Sequence, residues 1–313
     1  MRSWCISLSL ALLLAGCSTS VTNRPNFGSP DLAMLESNLA ADEGARLEQL
    51  PLPALLQQGS DYLAQGNLAL ARLHFLMAIK KDSASAAAFT GFGNVEAKAG
   101  DLQKAEIAYR LALRTDPDYV PALLPLARLQ RSAGNLEGAL ELLQQATTLQ
   151  PGNPEILSEL GIALDQLERF AEAEQLHLKA TAHRPEIAST FNNLGFHYLQ
   201  RERYEQAIPP LQKALRLDPR NEMTRNNLAV GYLLMGEAER ALQLFKESVG
   251  EAAAWNNIGY LYMTQGNRKL AEKAFREALA LNPQFYVQAK NNLDDLQRRM
   301  AQTDEPFVPG REK

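Results

Sequence analysis

From Leu52 onward the hydrophobic and polar positions recur with a fixed period. Aligned on their small and large apolar residues, units begin at Leu52, Ala86, Val120, Pro154, Ala188 and Glu222, each 34 residues after the last. A seventh begins at Ala252, only 30 residues on. Slot eight of a unit is small: Gly59, Gly93, Ala127, Gly161, Gly195, Ala229 and Gly259. Slot twenty is alanine throughout: Ala71, Ala105, Ala139, Ala173, Ala207, Ala241 and Ala271. Slot twenty-four is mostly large: Phe75, Tyr109, Leu143, His177, Leu211, Phe245 and Phe275. Pro117, Pro151, Pro185, Pro219 and Pro283 close five of the units. The pattern predicts two antiparallel helices per unit, touching closely at the small slots, with large side chains filling the space toward the next pair. Proline stops the second helix. No single unit can bury its own apolar face, so the stack is the core. The expected units are 52–85, 86–119, 120–153, 154–187, 188–221, 222–251 and 252–285. Residues 286–302 begin an eighth first helix that turns polar at "LDDLQRRM", as a solubilising cap does. Residues 303–313 read as a disordered tail.

Three features stand out from the period. Pro209 and Pro210 fall inside the second helix of unit five, and each removes a backbone donor, so a bend is expected. Unit six is four residues short near Val249-Gly250, about one helical turn, so the stacking should change there. The third feature is a set of asparagine pairs in "FNNLG", "RNNLA", "WNNIG" and "KNNLD", all after residue 190. Asparagine is a poor helix former, because its amide competes for nearby backbone groups. Propensity therefore does not explain the pairs.

The slot pattern resembles the tetratricopeptide repeat over Leu52 to Phe285. That resemblance implies an all-α, right-handed superhelical solenoid whose slots two, six, nine and thirteen line a concave groove. Asn193, Asn227, Asn257 and, in the cap, Asn291 fall at slot six, and Asn192, Asn226 and Asn256 at slot five. A side-chain amide offers both a donor and an acceptor and can hold a peptide group whatever its side chains are. The asparagines thus read either as a ladder gripping an extended partner by its backbone, or as repeat inheritance and local helix-to-helix hydrogen bonds. Phe196, Val230 and Tyr260 at slot nine would supply apolar pockets beside such a ladder. The lysine-rich arrangement with which some relatives hold C-terminal carboxylates is missing.

The N-terminus, "MRSWCISLSLALLLAGCSTS", has a different logic. Arg2 precedes an apolar run too short to span a bilayer as a stable helix. Leu14-Ala15-Gly16-Cys17 resembles the bacterial lipobox, which implies a signal peptide over 1–16 and a lipid on Cys17. Several acyl chains, at ~0.8 kcal/mol per buried CH₂, make a stable anchor. Ser18 after the cysteine points by the same resemblance to the outer membrane, with the chain facing the periplasm. Residues 17–51 read as a tether with a possible short helix over 29–41. Cys5 leaves with the signal, so no thiol remains to misoxidise.

Composition narrows the function. A net charge of −4 argues against nucleic acid as a partner. His74, His177, His183 and His197 show no metal-ligand spacing, and there is no HExxH, CxxC or G-x-S-x-G. No catalytic residue, cofactor, metal or small-molecule substrate is expected, and the chain does not read as an enzyme. A lipid-anchored tetratricopeptide solenoid with a tether resembles the TadD family of Flp (tight-adherence) pilus assembly lipoproteins. That implies protein partners among secretin or pilus assembly components. The alternatives are the PilF/PilW-type pilotins and NlpI-like scaffolds for peptidoglycan hydrolases.

Overall fold

The computed structural model describes residues 46–281 and 287–303. Among these residues there is no strand. The helices run in consecutive pairs: α1 (Leu52–Ala64) and α2 (Leu68–Lys81), α3 (Ala86–Ala99) and α4 (Leu102–Thr115), α5 (Val120–Ser132) and α6 (Leu136–Leu149), α7 (Pro154–Gln166) and α8 (Phe170–His183). They continue as α9 (Ala188–Gln200) and α10 (Tyr204–Leu217), α11 (Glu222–Leu234) and α12 (Ala238–Val249), α13 (Glu251–Thr264) and α14 (Arg268–Leu281), with α15 (Val287–Thr303) last. The described residues divide into two compact units, one ending at His183 and the other beginning at Arg184. Both are built of stacked helix pairs, each first helix packed on its own second helix and that helix on the next first helix.

The alanines at slot twenty explain how the helices of a pair come so close. All seven are 0% exposed. The slot-twenty-four side chains reach across onto slot eight of their own pair. A Cβ on Gly93 would lie 2.6 Å from the ring of Tyr109, and one on Gly259 2.6 Å from Phe275. Glycine at slot eight is thus the room in which a large side chain sits, and burying each such side chain contributes roughly 1.5–3 kcal/mol. His177 at this slot is fully buried over Gly161, with its Nε2 3.0 Å from Asp165 Oδ2. Gly91 answers a different neighbour: Phe75 of the preceding pair occupies the place of its missing Cβ, which would come within 2.1 Å of the ring.

The turn inside each pair depends on one left-handed residue. Gly66, Gly100, Gly134, Gly236 and Gly266 have φ between +76 and +89°. After the first three, Asn67, Asp101 and Asn135 cap the second helix, their side chains accepting from Leu70, Lys104 and Gly138 N–H. Two pairs depart together. Glu168 and Glu202 hold φ of 59° and 57°, and Arg169 and Arg203 take the capping place. A residue with a Cβ costs roughly 1–2 kcal/mol in this conformation.

α10 runs unbroken through Pro209 and Pro210, with Pro209 on the exposed side. The four-residue deficit of unit six lies at its end. α12 has 12 residues where the other second helices have 14, and Gly250 alone, at φ 82°, joins it to α13, where four residues serve at each earlier junction. α13 starts one residue early in compensation.

Candidate binding face in residues 184–303

The asparagine pairs all lie in the unit that begins at Arg184, on α9, α11, α13 and α15. Successive helix positions are about 100° apart, so the two members of a pair face different surroundings. On α9 the first member, Asn192, is buried and Asn193 is half-buried. On α13 the same holds for Asn256 and Asn257. On α11 the order reverses, with Asn226 half-buried and Asn227 buried.

Four of these amides pair with one another across helices. Asn227 Nδ2 donates to Asn192 Oδ1 at 2.9 Å, joining α11 to α9. Asn292 Nδ2 donates to Asn256 Oδ1 at 3.0 Å, joining α15 to α13. The cap therefore presents Asn292 to its neighbour, and not the Asn291 that the repeat count selects. Asn192 and Asn227 are separated by 35 residues and Asn256 and Asn292 by 36, so α15 presents the residue one position further along. Asn291 is exposed and shares a shallow depression of about 600 Å³ with Asp294, Gln297 and Arg298. Between α11 and α13 no such pair forms, and Asn226 Oδ1 is buried without a hydrogen-bond partner in the protein.

Beside the amides, Phe196 and Tyr260 are half-buried and Val230 is buried at 7% exposure. Phe196 packs against the cluster of Leu194, Leu228 and Leu233, while Tyr260 packs against Phe275 and Leu293. Met223, one turn before Asn226 and Asn227, is 51% exposed. No charged residue occupies slots two, six, nine or thirteen of α9, α11 or α13. Beneath this surface two phenols are held above their ordinary range: Tyr204 by burial and then by Glu202 and Glu205, Tyr262 by burial. The surface is neutral, amide-rich and partly apolar. It has the chemistry to hold polar backbone and uncharged side chains.

Models described as tetratricopeptide repeat match residues 56–120, 96–147, 130–188, 186–250 and 252–285. Together they run from residue 56 to 285. The chain belongs to the tetratricopeptide-repeat proteins. Repeats of this kind act as scaffolds for protein–protein interaction. Solved structures share the fold. A tetratricopeptide repeat protein from Parabacteroides merdae is 22% identical with a TM-score of 0.57, covering 79% of this chain and 98% of its own. PilF of Pseudomonas aeruginosa is 24% identical with a TM-score of 0.53, covering 70% of this chain and 99% of its own. The Cut9–Hcn1 hetero-tetramer of the APC/C is 18% identical with a TM-score of 0.58, covering 78% and 52%. No curated protein matches the chain.

Asn292 is the residue that counting slots passes over. Its signal was present, since "KNNLD" carries both asparagines, but only the rotation of α15 decides which one faces α13. Cys17, the expected signal peptide over 1–16 and the expected short helix over 29–41 lie outside the described residues. No helix among the described residues is long and apolar enough to cross a membrane.

Proposed function

We propose that this protein is a lipid-anchored scaffold of the bacterial outer membrane that holds a protein partner on the asparagine-bearing face of residues 184–303, assisting assembly of a Flp pilus or its secretin. The observation that carries the binding part is the division of labour among the asparagines. Asn192, Asn227, Asn256 and Asn292 are spent on joining helices, whereas Asn193 and Asn257 are half-buried with Phe196 and Tyr260 beside them. Such amides can meet a partner's peptide groups without regard to its side chains. The anchor rests on Leu14-Ala15-Gly16-Cys17. The pilus assignment rests on the resemblance of the sequence to that lipoprotein family. A PilF/PilW-type pilotin is the second reading, and the fold likeness to PilF makes it a natural comparison.

The test replaces Phe196 or Tyr260 by p-benzoylphenylalanine in intact cells and identifies the photo-adducts by mass spectrometry. A secretin or pilus component attached at both positions is the expected result. A peptidoglycan hydrolase would favour the NlpI-like reading. A chain that forms no adduct at either position would overturn the binding face. Separately, Cys17→Ser should abolish labelling by a palmitate analogue, and unchanged label would overturn the anchor.

A further inference from the structure

The hydrogen-bond ladder between first helices is interrupted at one junction, and the cause is visible in the chain. α9 and α11 approach each other closely and are bonded through Asn192 and Asn227. α13 and α15 do the same through Asn256 and Asn292. α11 and α13 stay further apart than either of these pairs. They are the two first helices flanking the shortened α12 and the one-residue connection at Gly250. The four missing residues thus coincide with the junction at which the two first helices approach less closely. The acceptor that would have continued the ladder, Asn226 Oδ1, is left buried and unsatisfied. A buried acceptor without a donor is destabilising, and its presence in a fold calls for an explanation.

We infer that this junction is a notch for an uncharged, extended peptide segment of the partner, one of whose backbone N–H groups donates to Asn226 Oδ1. The inference rests on the binding face proposed above and names the point at which the partner enters it. Three observations select the occupant. Asn226 is only half-buried as a residue, and its terminal torsion has a broad energy profile, so the amide can turn to meet a donor. Met223, Asn226 and Val230 lie on one stripe of α11, and Asn257 and Tyr260 on one stripe of α13, so an acceptor, an amide and apolar side chains line the two walls. No charge stands at slots two, six, nine or thirteen of either helix, so a charged side chain entering the notch would lose its hydration with no counter-charge. A backbone N–H supplies the missing donor and carries no charge.

The probe is an unbiased library of 12-residue peptides displayed on phage and selected on the full chain. The winners are synthesised, and their affinities are measured against the wild type and three variants. The expected winners are uncharged over their central residues. They lose about tenfold in affinity to Asn226→Ala, which is one hydrogen bond's worth. They lose as much when four residues are inserted after Val249, because the restored period lets α13 close onto α11. The melting temperature of Asn226→Ala should hold or rise, since the substitution removes an unsatisfied group. A fall of several degrees would make Asn226 a structural residue and overturn the inference. Winners of strong charge would also overturn it. Winners that weaken with Asn193→Ala/Asn257→Ala but not with Asn226→Ala would remove the notch and leave the binding face standing. Winners indifferent to every variant, or a library that yields none, would remove both.

Discussion

Asn193 and Asn227 occupy the same slot of successive repeats, yet the structure assigns them opposite energetic roles. Asn227 is 6% exposed and donates to Asn192 Oδ1, itself on a residue 7% exposed. Asn227→Ala deletes the donor and strands that oxygen in the interior, at a cost of ~1–3 kcal/mol. Alanine is the better helix former, which returns about half a kcal/mol. The net expectation is a destabilisation of ~0.5–2.5 kcal/mol. Asn193→Ala has only the second term, because Asn193 is half-buried and carries no side-chain hydrogen bond to another first helix. It should be neutral or slightly stabilising. The assay is native-state hydrogen exchange on the full chain, since a stack of repeats need not unfold in one step. Exchange should quicken in α9 and α11 of Asn227→Ala and stay unchanged in α1 to α4. A double-mutant cycle with Asn192→Ala should show a coupling of ~0.5–3 kcal/mol, the range for residues in contact. Equal effects of the two single substitutions, or a coupling near zero, would refute the assignment of Asn192 and Asn227 to the fold.

Two further outcomes follow from the turns and the core. Glu168→Gly and Glu202→Gly should each raise stability by ~1 kcal/mol, because both glutamates hold the left-handed conformation that glycine adopts freely; thermal denaturation of the single variants checks this. Tyr109, fully buried and donating its hydroxyl to Asn94 Oδ1 at 2.8 Å, has its pKa pushed up to about 12, chiefly by burial. The unfolded phenol ionises near pH 10, so the stability that the neutral phenol contributes is intact below that pH and is lost as pH rises toward 12. Absorbance at 295 nm should show a late-titrating component that Tyr109→Phe removes, together with that tyrosine's share of the stability loss in this window.

The period made the fold legible. Alanine at slot twenty and a large residue at slot twenty-four are local facts of the sequence, and the close helix contact follows from them. The turns were less legible. Glu168 and Glu202 sit where five other pairs carry glycine, and a polar residue in a polar turn gives no warning of its backbone angle. The asparagines were legible as a group and not one by one. Whether an amide faces a neighbouring helix or the surface depends on a rotation of about 100°, and slot counting places a residue no better than that. The four-residue deficit shows the limit most clearly. The sequence located it near Gly250, but its consequence, a looser approach of α11 to α13 with Asn226 Oδ1 unpaired, belongs to the packing.

The measurement closest to the central claim compares affinity with stability for one variant, Asn193→Ala/Asn257→Ala, against whichever partner the photo-adducts identify. Both amides are half-buried, and neither joins one first helix to another, so the fold should not miss them. Each lost contact leaves a partner's peptide group poorly paired at ~1–3 kcal/mol, so together they should weaken binding by about a hundredfold or more. The melting temperature should stay at the wild-type value or rise. A folded double variant that binds as tightly as the wild type would contradict the account, and so would one whose affinity falls only in step with its stability.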